Sequence, residues 1–114
     1  MNINYHKRKF AGVTNTPNGQ VNGDTIFNYK QKDNLLTATY NGGRIEEGYI
    51  LGRVHDDNSL DFVYHHIDDR GHLRSGHCIS TPELLPDGRI RLYEKWEWTY
   101  GGEGTGESVV EEIK

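Results

Sequence analysis

The sequence predicts an all-β domain folded as an eight-stranded antiparallel meander barrel. Short segments of alternating apolar and polar residues recur along the chain, separated by clusters of glycine, asparagine, aspartate and proline. Fourteen of the 114 residues are glycine, which favours many turns over a few long elements. No stretch has the periodicity of an amphipathic helix. A closed barrel leaves no open sheet edge, whereas the alternative fold, a two-sheet β-sandwich, leaves edges to protect.

Each predicted strand is bounded by a recognisable turn signal. The strands are expected at residues 9–16, 25–31, 35–40, 44–54, 59–67, 72–80, 89–99 and 108–113. The turn clusters are 15–19, 32–34, 41–43, 56–58, 68–71, 86–88 and 101–104. The Asn-Gly-Gly cluster at 41–43 is a strong hairpin signal because these residues tolerate positive φ. Residues 82–88 form a longer connection, and 81–85 has room for one helical turn.

Alternation and turn length assign an inward face to the first three strands. Phe10 is the expected inward residue of the first strand. An even-length loop between the second and third strands brings inward residues together as Thr25 with Tyr40, Phe27 with Ala38, and Tyr29 with Leu36. Gly48 and Gly52 interrupt the fourth strand, which indicates bends or close backbone approach. The facing of that strand stays open, with Ile45, Tyr49 and Leu51 competing against Gly48, Ile50 and Gly52.

The turn at 69–71 assigns the facing of the fifth and sixth strands. If Asp69-Arg70-Gly71 is a three-residue loop with Gly71 in the left-handed conformation, Asp68 pairs with His72. The pairs that follow are Leu60 with Ser80, Phe62 with Cys78, and Tyr64 with Gly76. A four-residue loop would instead turn Leu73, His77 and Ile79 inward.

The seventh strand carries the most informative pattern. Alternation places Ile90, Leu92, Trp96 and Trp98 on one face, with the carboxylate of Glu94 among them. A buried carboxylate costs several kcal/mol unless it is hydrogen-bonded, paired or protonated. The full inner set is predicted as Phe10, Thr25, Phe27, Tyr29, Leu36, Ala38, Tyr40, Leu60, Phe62, Tyr64, His66, Cys78, Ser80, Ile90, Leu92, Glu94, Trp96 and Trp98.

This inner face predicts a polar spot within an aromatic lumen. Tyrosine hydroxyls and Ser80 are the donors expected to satisfy Glu94. The candidate ligand-binding residues are Glu94, Tyr29, Tyr40, Tyr64, His66, Ser80, Trp96 and Cys78. Aromatic walls around a few polar groups are typical of small-molecule sites. The alternative interpretation is a satisfied internal network that fixes strand register.

Composition narrows the functional classes. The formal charge is −4 with no basic block, so the sequence does not favour nucleic-acid binding. No apolar run approaches the roughly 20 residues of a membrane span, and no secretory signal is recognisable. Cys78 is the single cysteine, which fits a reduced, cytoplasmic setting. We expect an N-terminal arm at residues 1–8 and one barrel domain at 9–114.

Metal, cofactor and nucleophile signals are weak. His65 and His66 are adjacent on one strand and point to opposite faces, so they do not share an ion. No His-x-His or Cys-x-x-Cys spacing occurs, and we expect neither a metal site nor a cofactor. A lone inward cysteine such as Cys78 is typically a small hydrophobe.

A set of short motifs spread over nearly the whole chain resembles a family of small bacterial proteins. The motifs are Phe27-x-Tyr29-x-Gln31, Tyr40-x-Gly42-Gly43, Tyr64-x-His66, Gly76-x-Cys78-x-Ser80, the run 87–92, and Glu94-x-Trp96-x-Trp98. Members of about this length are often called "N-acetylglutamate synthase". The resemblance implies a soluble bacterial protein with a calycin-like, lipocalin-like barrel, and it transfers no catalytic residues. The usual acetyltransferase fold cradles pyrophosphate at a helix N-terminus, and this sequence predicts no such helix.

Three functional hypotheses remain open from the sequence. The first is a barrel that binds a small, partly apolar ligand with Glu94 as its polar anchor. The second is an enzyme in which Glu94 is a general acid or base with a raised pKa. The third is a structural or interaction protein, including a homodimer formed through the barrel exterior or an edge.

Overall fold

The structure, a computed structural model, describes residues 2–113 and confirms the closed barrel. The strands are β1 (Lys9–Asn15), β2 (Ile26–Lys32), β3 (Leu35–Gly42), β4 (Ile45–Val54), β5 (Leu60–Asp68), β6 (Leu73–Leu84), β7 (Ile90–Tyr100) and β8 (Thr105–Glu112). Each strand pairs antiparallel with the next, and β8 pairs with β1. That last pairing excludes the two-sheet sandwich, because the described strands form one sheet without an edge.

Two strands, β6 and β8, depart most from their predicted bounds. Residues 81–84 continue β6 as far as Leu84, which pairs with Ile90, so the prediction of a helical turn at 81–85 was wrong. Pro82 is tolerated there because β6 pairs with β5 only as far as Ser80 and then has β7 as its one partner. The last strand begins at Thr105, three residues before its predicted start.

The hairpins confirm the predicted facing of the strands and correct one register. Gly71 has a φ of 78° in a three-residue loop, and Asp68 N–H donates to His72 O at 3.0 Å. The pairs Leu60–Ser80, Phe62–Cys78 and Tyr64–Gly76 follow as predicted. Between β2 and β3 the turn is 33–34, with Asp33 at a φ of 54°, so Phe27 pairs with Tyr40 and Tyr29 with Ala38. This register differs by two residues from the prediction and leaves the inward face unchanged.

A bulge resolves the ambiguity of β4. Gly48 and Ile50 point inward, whereas Tyr49 and Leu51 are exposed. Ile45 is nevertheless buried, because the register with β5 shifts between Ile45 and Glu47. One extra residue in a strand reverses its alternation, so each of the two predicted sets was right for one part of the strand.

Inward glycines make room for aromatic rings on neighbouring strands. A Cβ added to Gly48 would lie 2.4 Å from the ring of Tyr40, and one added to Gly106 would lie 2.3 Å from the ring of Trp96. The close approach predicted at Gly48 is therefore an approach by a side chain on the adjacent strand. Rings that lie over glycine fill the lumen without widening the barrel.

The N-terminal segment closes one end of the barrel. Ile3 and Tyr5 are buried, although residues 2–8 form no strand. The Tyr5 hydroxyl donates to Asn58 O at 2.6 Å, and Ile3 N–H donates to Asn58 Oδ1 at 2.9 Å. The segment predicted as an arm thus packs under the barrel at the β4–β5 turn. Met1 of that arm and Lys114 of the predicted barrel domain lie outside the described residues.

Below the lumen lies the most completely buried part of the core. Its apolar side chains with at most 1% exposure are Tyr5, Phe10, Tyr29, Leu36, Leu60, Ile90, Leu92 and Val110. Residues 2–113 contain no helix with the length and apolar character needed to cross a membrane.

Replacing Gly48 with alanine should lower the free energy of unfolding by about 1–3 kcal/mol. The new methyl group would press on the Tyr40 ring, which stacks on Phe27 at 4.9 Å and cannot move aside freely. Urea denaturation measures the change. Gly23→Ala is the matched control, since its Cβ would meet only Gly12 O at 3.7 Å. An equal, small effect in both variants would contradict this account of the lumen.

Candidate functional site

The lumen contains a cavity at the end opposite the N-terminal segment. Its volume is about 50 Å³, room for about three or four water molecules at about 10–15 Å³ each. The cavity is lined by Asn15, Gly19, Gln20, Val21, Phe27, Tyr40, Ile50, Phe62, Tyr64, His66, Cys78, Glu94, Trp96, Trp98 and Ser108. All eight strands therefore contribute residues, together with the connection between β1 and β2.

That connection, residues 16–25, covers the mouth of the barrel. The Trp98 indole N–H donates to Asn18 O at 3.1 Å, and Asn15 Nδ2 donates to Val21 O at 3.1 Å. Gln20 is 4% exposed and points into the barrel. These few contacts hold the connection over the mouth, which stays partly open, while the strands beneath it form a continuous hydrogen-bonded wall.

A chain of hydrogen bonds runs from the lumen to the rim. Tyr40 Oη lies 2.8 Å from His66 Nδ1, and His66 Nε2 lies 2.7 Å from Gln20 Oε1. Gln20 Nε2 in turn donates to Asp68 Oδ2 at 3.0 Å. Because the amide of Gln20 must offer its NH₂ to the carboxylate, its oxygen faces His66, and the imidazole carries its proton on Nε2. The Tyr40 hydroxyl is then the donor to Nδ1.

Asp68 anchors this chain at the rim. Its carboxylate is fully buried and also accepts hydrogen bonds from the backbone N–H groups of Arg70 and His72. Arg74 Nε lies 3.3 Å from Asp68 Oδ2. Burial alone would raise the pKa of Asp68, but the hydrogen bonds from Gln20, His72 and Arg70 outweigh it and hold the pKa well below its usual range. Burial, followed by the charge of Arg74, lowers the pKa of His66 from 6.5 to about 4, so the imidazole is neutral at physiological pH.

Glu94 lies deeper, between two serines on neighbouring strands. It pairs with Ser80 on β6 and Ser108 on β8, and all three side chains face inward. The Ser108 hydroxyl donates to Glu94 Oε1 at 3.0 Å. Burial raises the pKa of Glu94 from 4.5 to about 7, and the single bond from Ser108 offsets only part of that rise. Both the protonated and the ionised carboxyl are therefore accessible near neutral pH.

The hydroxyls expected to satisfy Glu94 make other contacts or none among the described residues. The Tyr40 hydroxyl is hydrogen-bonded to His66 Nδ1, and the Tyr64 hydroxyl donates to Glu97 O at 3.2 Å. Tyr29 Oη and Ser80 Oγ are fully buried and have no hydrogen-bond partner in residues 2–113. The one donor to Glu94 is Ser108, which the sequence-based site did not include.

Six of the eight predicted site residues surround the cavity. They are Glu94, Tyr40, Tyr64, His66, Trp96 and Cys78. Tyr29 and Ser80 are inward but do not line it. Among the residues missed, Ser108 was accessible to sequence reasoning, because Ser108 and Val110 alternate as inward positions of β8. Gln20 was not, because its burial depends on the shape of a long connection.

The other titratable clusters lie outside the lumen. His77 Nε2 contacts Asp61 Oδ1, and His55 Nε2 lies 3.9 Å from Asp61 Oδ2, all on the partly exposed exterior. Within residues 2–113 no three His, Cys, Asp or Glu side chains are arranged to hold a metal ion. Burial, followed by the charge of Glu94, raises the pKa of the Cys78 thiol well above its usual value, so Cys78 is not a thiolate nucleophile at neutral pH.

An eight-stranded barrel of this size, sealed at one end with a small aromatic cavity at the other, can be compared with known families. The model of a family described as "Avidin-like protein" matches residues 3–113. The chain belongs to the avidin-like family. This membership supports the calycin-like barrel implied by the resemblance in sequence, and it does not address the label "N-acetylglutamate synthase" or a bacterial origin. Members of the avidin-like family bind small ligands and are often oligomers. The chain matches no curated protein and no solved structure.

The raised pKa of Glu94 predicts that the stability of this avidin-like barrel depends on pH. In the folded protein Glu94 keeps its proton up to about pH 7, whereas in the unfolded chain it loses the proton near pH 4.5. Its contribution to stability therefore falls as pH rises through this interval, by up to about 3 kcal/mol. The lowered pKa of His66 acts in the opposite direction between about pH 4 and 6.5.

Glu94→Gln removes the pH dependence of stability that comes from Glu94 and leaves the one that comes from His66. As pH rises from 4.5 to 8, the free energy of unfolding of this variant minus that of the parent should increase by up to about 3 kcal/mol. Urea titrations at several pH values measure it. Glu97→Gln, an exposed position on the same strand, should show a flat difference. A flat difference for Glu94→Gln as well would mean that Glu94 is not held in its protonated form.

Proposed function

We propose that this avidin-like protein binds a small, partly apolar ligand in the cavity beside Glu94. The observation that carries the proposal is the cavity itself, which has aromatic walls and contains a buried carboxyl with one described hydrogen bond. A lumen built only for stability would be filled by its own side chains. Small-molecule sites combine apolar walls with a few polar groups that orient the ligand.

Unsatisfied polar groups favour this function over a purely structural network. A network that fixes register is stabilising when every member has its partner. Asn15 Oδ1, on a residue that lines the cavity, is buried and has no partner among residues 2–113. The lumen thus offers hydrogen-bonding capacity that the described side chains leave unused.

The size of the cavity sets the mode of binding. About 50 Å³ is far below the roughly 300–1,000 Å³ of drug-sized sites. With the 16–25 connection in this position, the site holds the polar head of a ligand and a short apolar portion. A longer molecule extends between Trp98 and the 16–25 connection, where few contacts must open.

Ligand binding can be tested through the two tryptophans of the chain, which both line the cavity. In ¹⁵N-labelled protein, biotin and a set of small amines, amides, alcohols and carboxylic acids are titrated while the two indole N–H signals are followed. At least one compound should shift both signals and raise the melting temperature, because binding to the native state alone stabilises it.

Cys78→Leu serves as the blocked variant, since the larger side chain enters the cavity. Ile79→Leu is its matched control, one residue along β6 and exposed. Binding should be lost in the first variant and retained in the second, with thermal unfolding confirming that both are folded. If no compound shifts the indole signals of the parent protein, the proposed function is wrong.

We also propose a homodimer formed through the outer face of β4 to β6. Leu51 and Val63 are direct cross-strand neighbours that are 54% and 52% exposed, and the exposed Tyr49 and Ile79 lie on the flanking parts of the same face. Contiguous apolar surface on the outside of a barrel favours burial against a second surface. Frequent oligomerisation within the family supports the same conclusion.

Val63→Glu should convert the dimer to a monomer in sedimentation equilibrium, because it places a charge at the centre of the buried face. Val13→Glu is a closely matched control, with the same residue type at 53% exposure on β1. We expect it to remain dimeric. A parent protein that is monomeric at every concentration would overturn the proposal.

A further inference from the structure

We infer that the ligand of this cavity is a protonated amine carrying a small apolar group. The inference rests on the proposed function, because it names the chemical class of the molecule that occupies the same site. It is carried by three properties of the cavity: the sign of its ionisable groups, the arrangement of its rings, and the kind of hydrogen-bonding atom left without a partner.

The first property is the charge that the cavity can develop. Its described lining includes no lysine or arginine, and its one carboxyl is Glu94. His66 faces the same space, but its Nε2–H is already used by Gln20 and its Nδ1 by Tyr40. The cavity can therefore become negative. Arg74, whose guanidinium lies 5.3 Å from the centre of the Trp98 ring, pairs with Asp68 and is not part of the lining. A ligand with a positive charge would balance the negative charge of ionised Glu94.

The second property is the aromatic box around Glu94. Trp96 and Trp98 meet at 61° with their centroids 5.3 Å apart, and Tyr64 meets Trp98 at 68° and 5.8 Å. Phe27 and Tyr40 stack on the opposite side of the lumen at 4.9 Å. These five rings line the same cavity as Glu94. Such boxes attract cations through the ring quadrupole.

The third property is an excess of unused acceptor capacity. Asn15 lines the cavity, and its Oδ1 is buried without a donor in residues 2–113, while its Nδ2 is committed to Val21 O. Glu94 receives one hydrogen bond, from Ser108, although an ionised carboxylate accepts several. An ammonium group has only donors, so it matches acceptors of this kind. The unpartnered hydroxyls of Tyr29 and Ser80 do not line the cavity, so a carboxylate ligand would meet the acceptors of Asn15 and Glu94 there.

Amine binding should be coupled to the ionisation of Glu94. The groups that face it are the hydroxyls of Tyr29, Tyr40, Tyr64, Ser80 and Ser108, the Cys78 thiol and the His66 imidazole. Burial raises the pKa of the three tyrosines and of Cys78, and it lowers that of His66 to about 4. Of these groups Glu94 is thus the one that changes charge between pH 6 and 8, with its pKa raised to about 7. An amine should bind more tightly as pH rises through this interval and displace a proton.

The test compares three probes of similar carbon skeleton and different charge: isobutylamine, isobutanol and isovalerate. Each is titrated into the full-length ¹⁵N-labelled protein at pH 6 and pH 8, and the two indole N–H signals report occupancy of the lumen. Isobutylamine keeps its proton at both values, since alkylamines resemble lysine with a pKa of about 10.4. We expect it to bind at least about tenfold more tightly than the alcohol at pH 8, with isovalerate weakest.

Two variants distinguish the carboxylate from general effects of substitution. Glu94→Gln should reduce isobutylamine affinity by about tenfold or more at pH 8 and leave isobutanol affinity unchanged. Glu97→Gln, on the same strand and facing solvent, should alter neither. The pH dependence of amine binding should disappear in Glu94→Gln alone.

The outcomes separate this inference from the function on which it rests. If isobutanol or isovalerate binds as tightly as the amine, the protein binds small ligands and the assignment to amines is wrong. The same holds if the wider compound set shifts the indole signals and isobutylamine does not. If no compound of any class shifts those signals, both proposals fall together.

Discussion

The pairing of β1 with β8 is the interaction on which the rest of the structure depends. It joins the first and last strands from Phe10–Glu112 to Asn15–Ser108 and turns a meander into a closed wall. Once the wall is closed, every second residue of each strand must share one narrow interior. The shift between Gly12 and Thr14 in this pairing shows that closure required a local irregularity. Polar side chains on the inner face must then find partners inside the barrel, as Glu94 does with Ser108 on the neighbouring strand, because bulk water lies on the other side of the sheet.

The lumen is divided into two parts by what closes each end. At one end the N-terminal segment places Tyr5 under the barrel, where its hydroxyl is satisfied by Asn58 O and its ring packs near Tyr29. The other end is closed by Gln20, whose amide links His66 to Asp68. The first closure is part of the apolar core, whereas the second rests on hydrogen bonds from a connection without strands. Access to the cavity is therefore easier at the second end, since opening it exposes less apolar surface.

Local pattern predicted the closed barrel and the inward face of most strands, because facing depends on period-two alternation within each strand. It did not predict the β2–β3 register, since adjacent turn-forming residues at 32–34 allow more than one placement and only the fold shows that Asp33 adopts positive φ. For the site, Glu94 stood out as a carboxylate among inward apolar residues. Ser108 followed the same alternation on β8 and was overlooked, whereas the burial of Gln20 depends on the three-dimensional course of a connection rich in glycine and proline.

The position of Glu94 explains how a closed aromatic lumen can contain an acid without a permanent penalty. A fixed negative charge at this depth would need a full set of donors, and Ser108 is the one described. Because burial raises the pKa of Glu94 to about 7, the empty cavity can hold the neutral acid at neutral pH. Below about pH 7 the unliganded protein therefore avoids the cost of desolvating a carboxylate. The proposed binding requires that the carboxyl be accessible to a ligand and shielded from solvent at the same time, and the cavity beneath the 16–25 connection meets both conditions. A residue that would be a defect in a filled barrel is thus, in the proposed function, the polar end of a site in a barrel that leaves about 50 Å³ free.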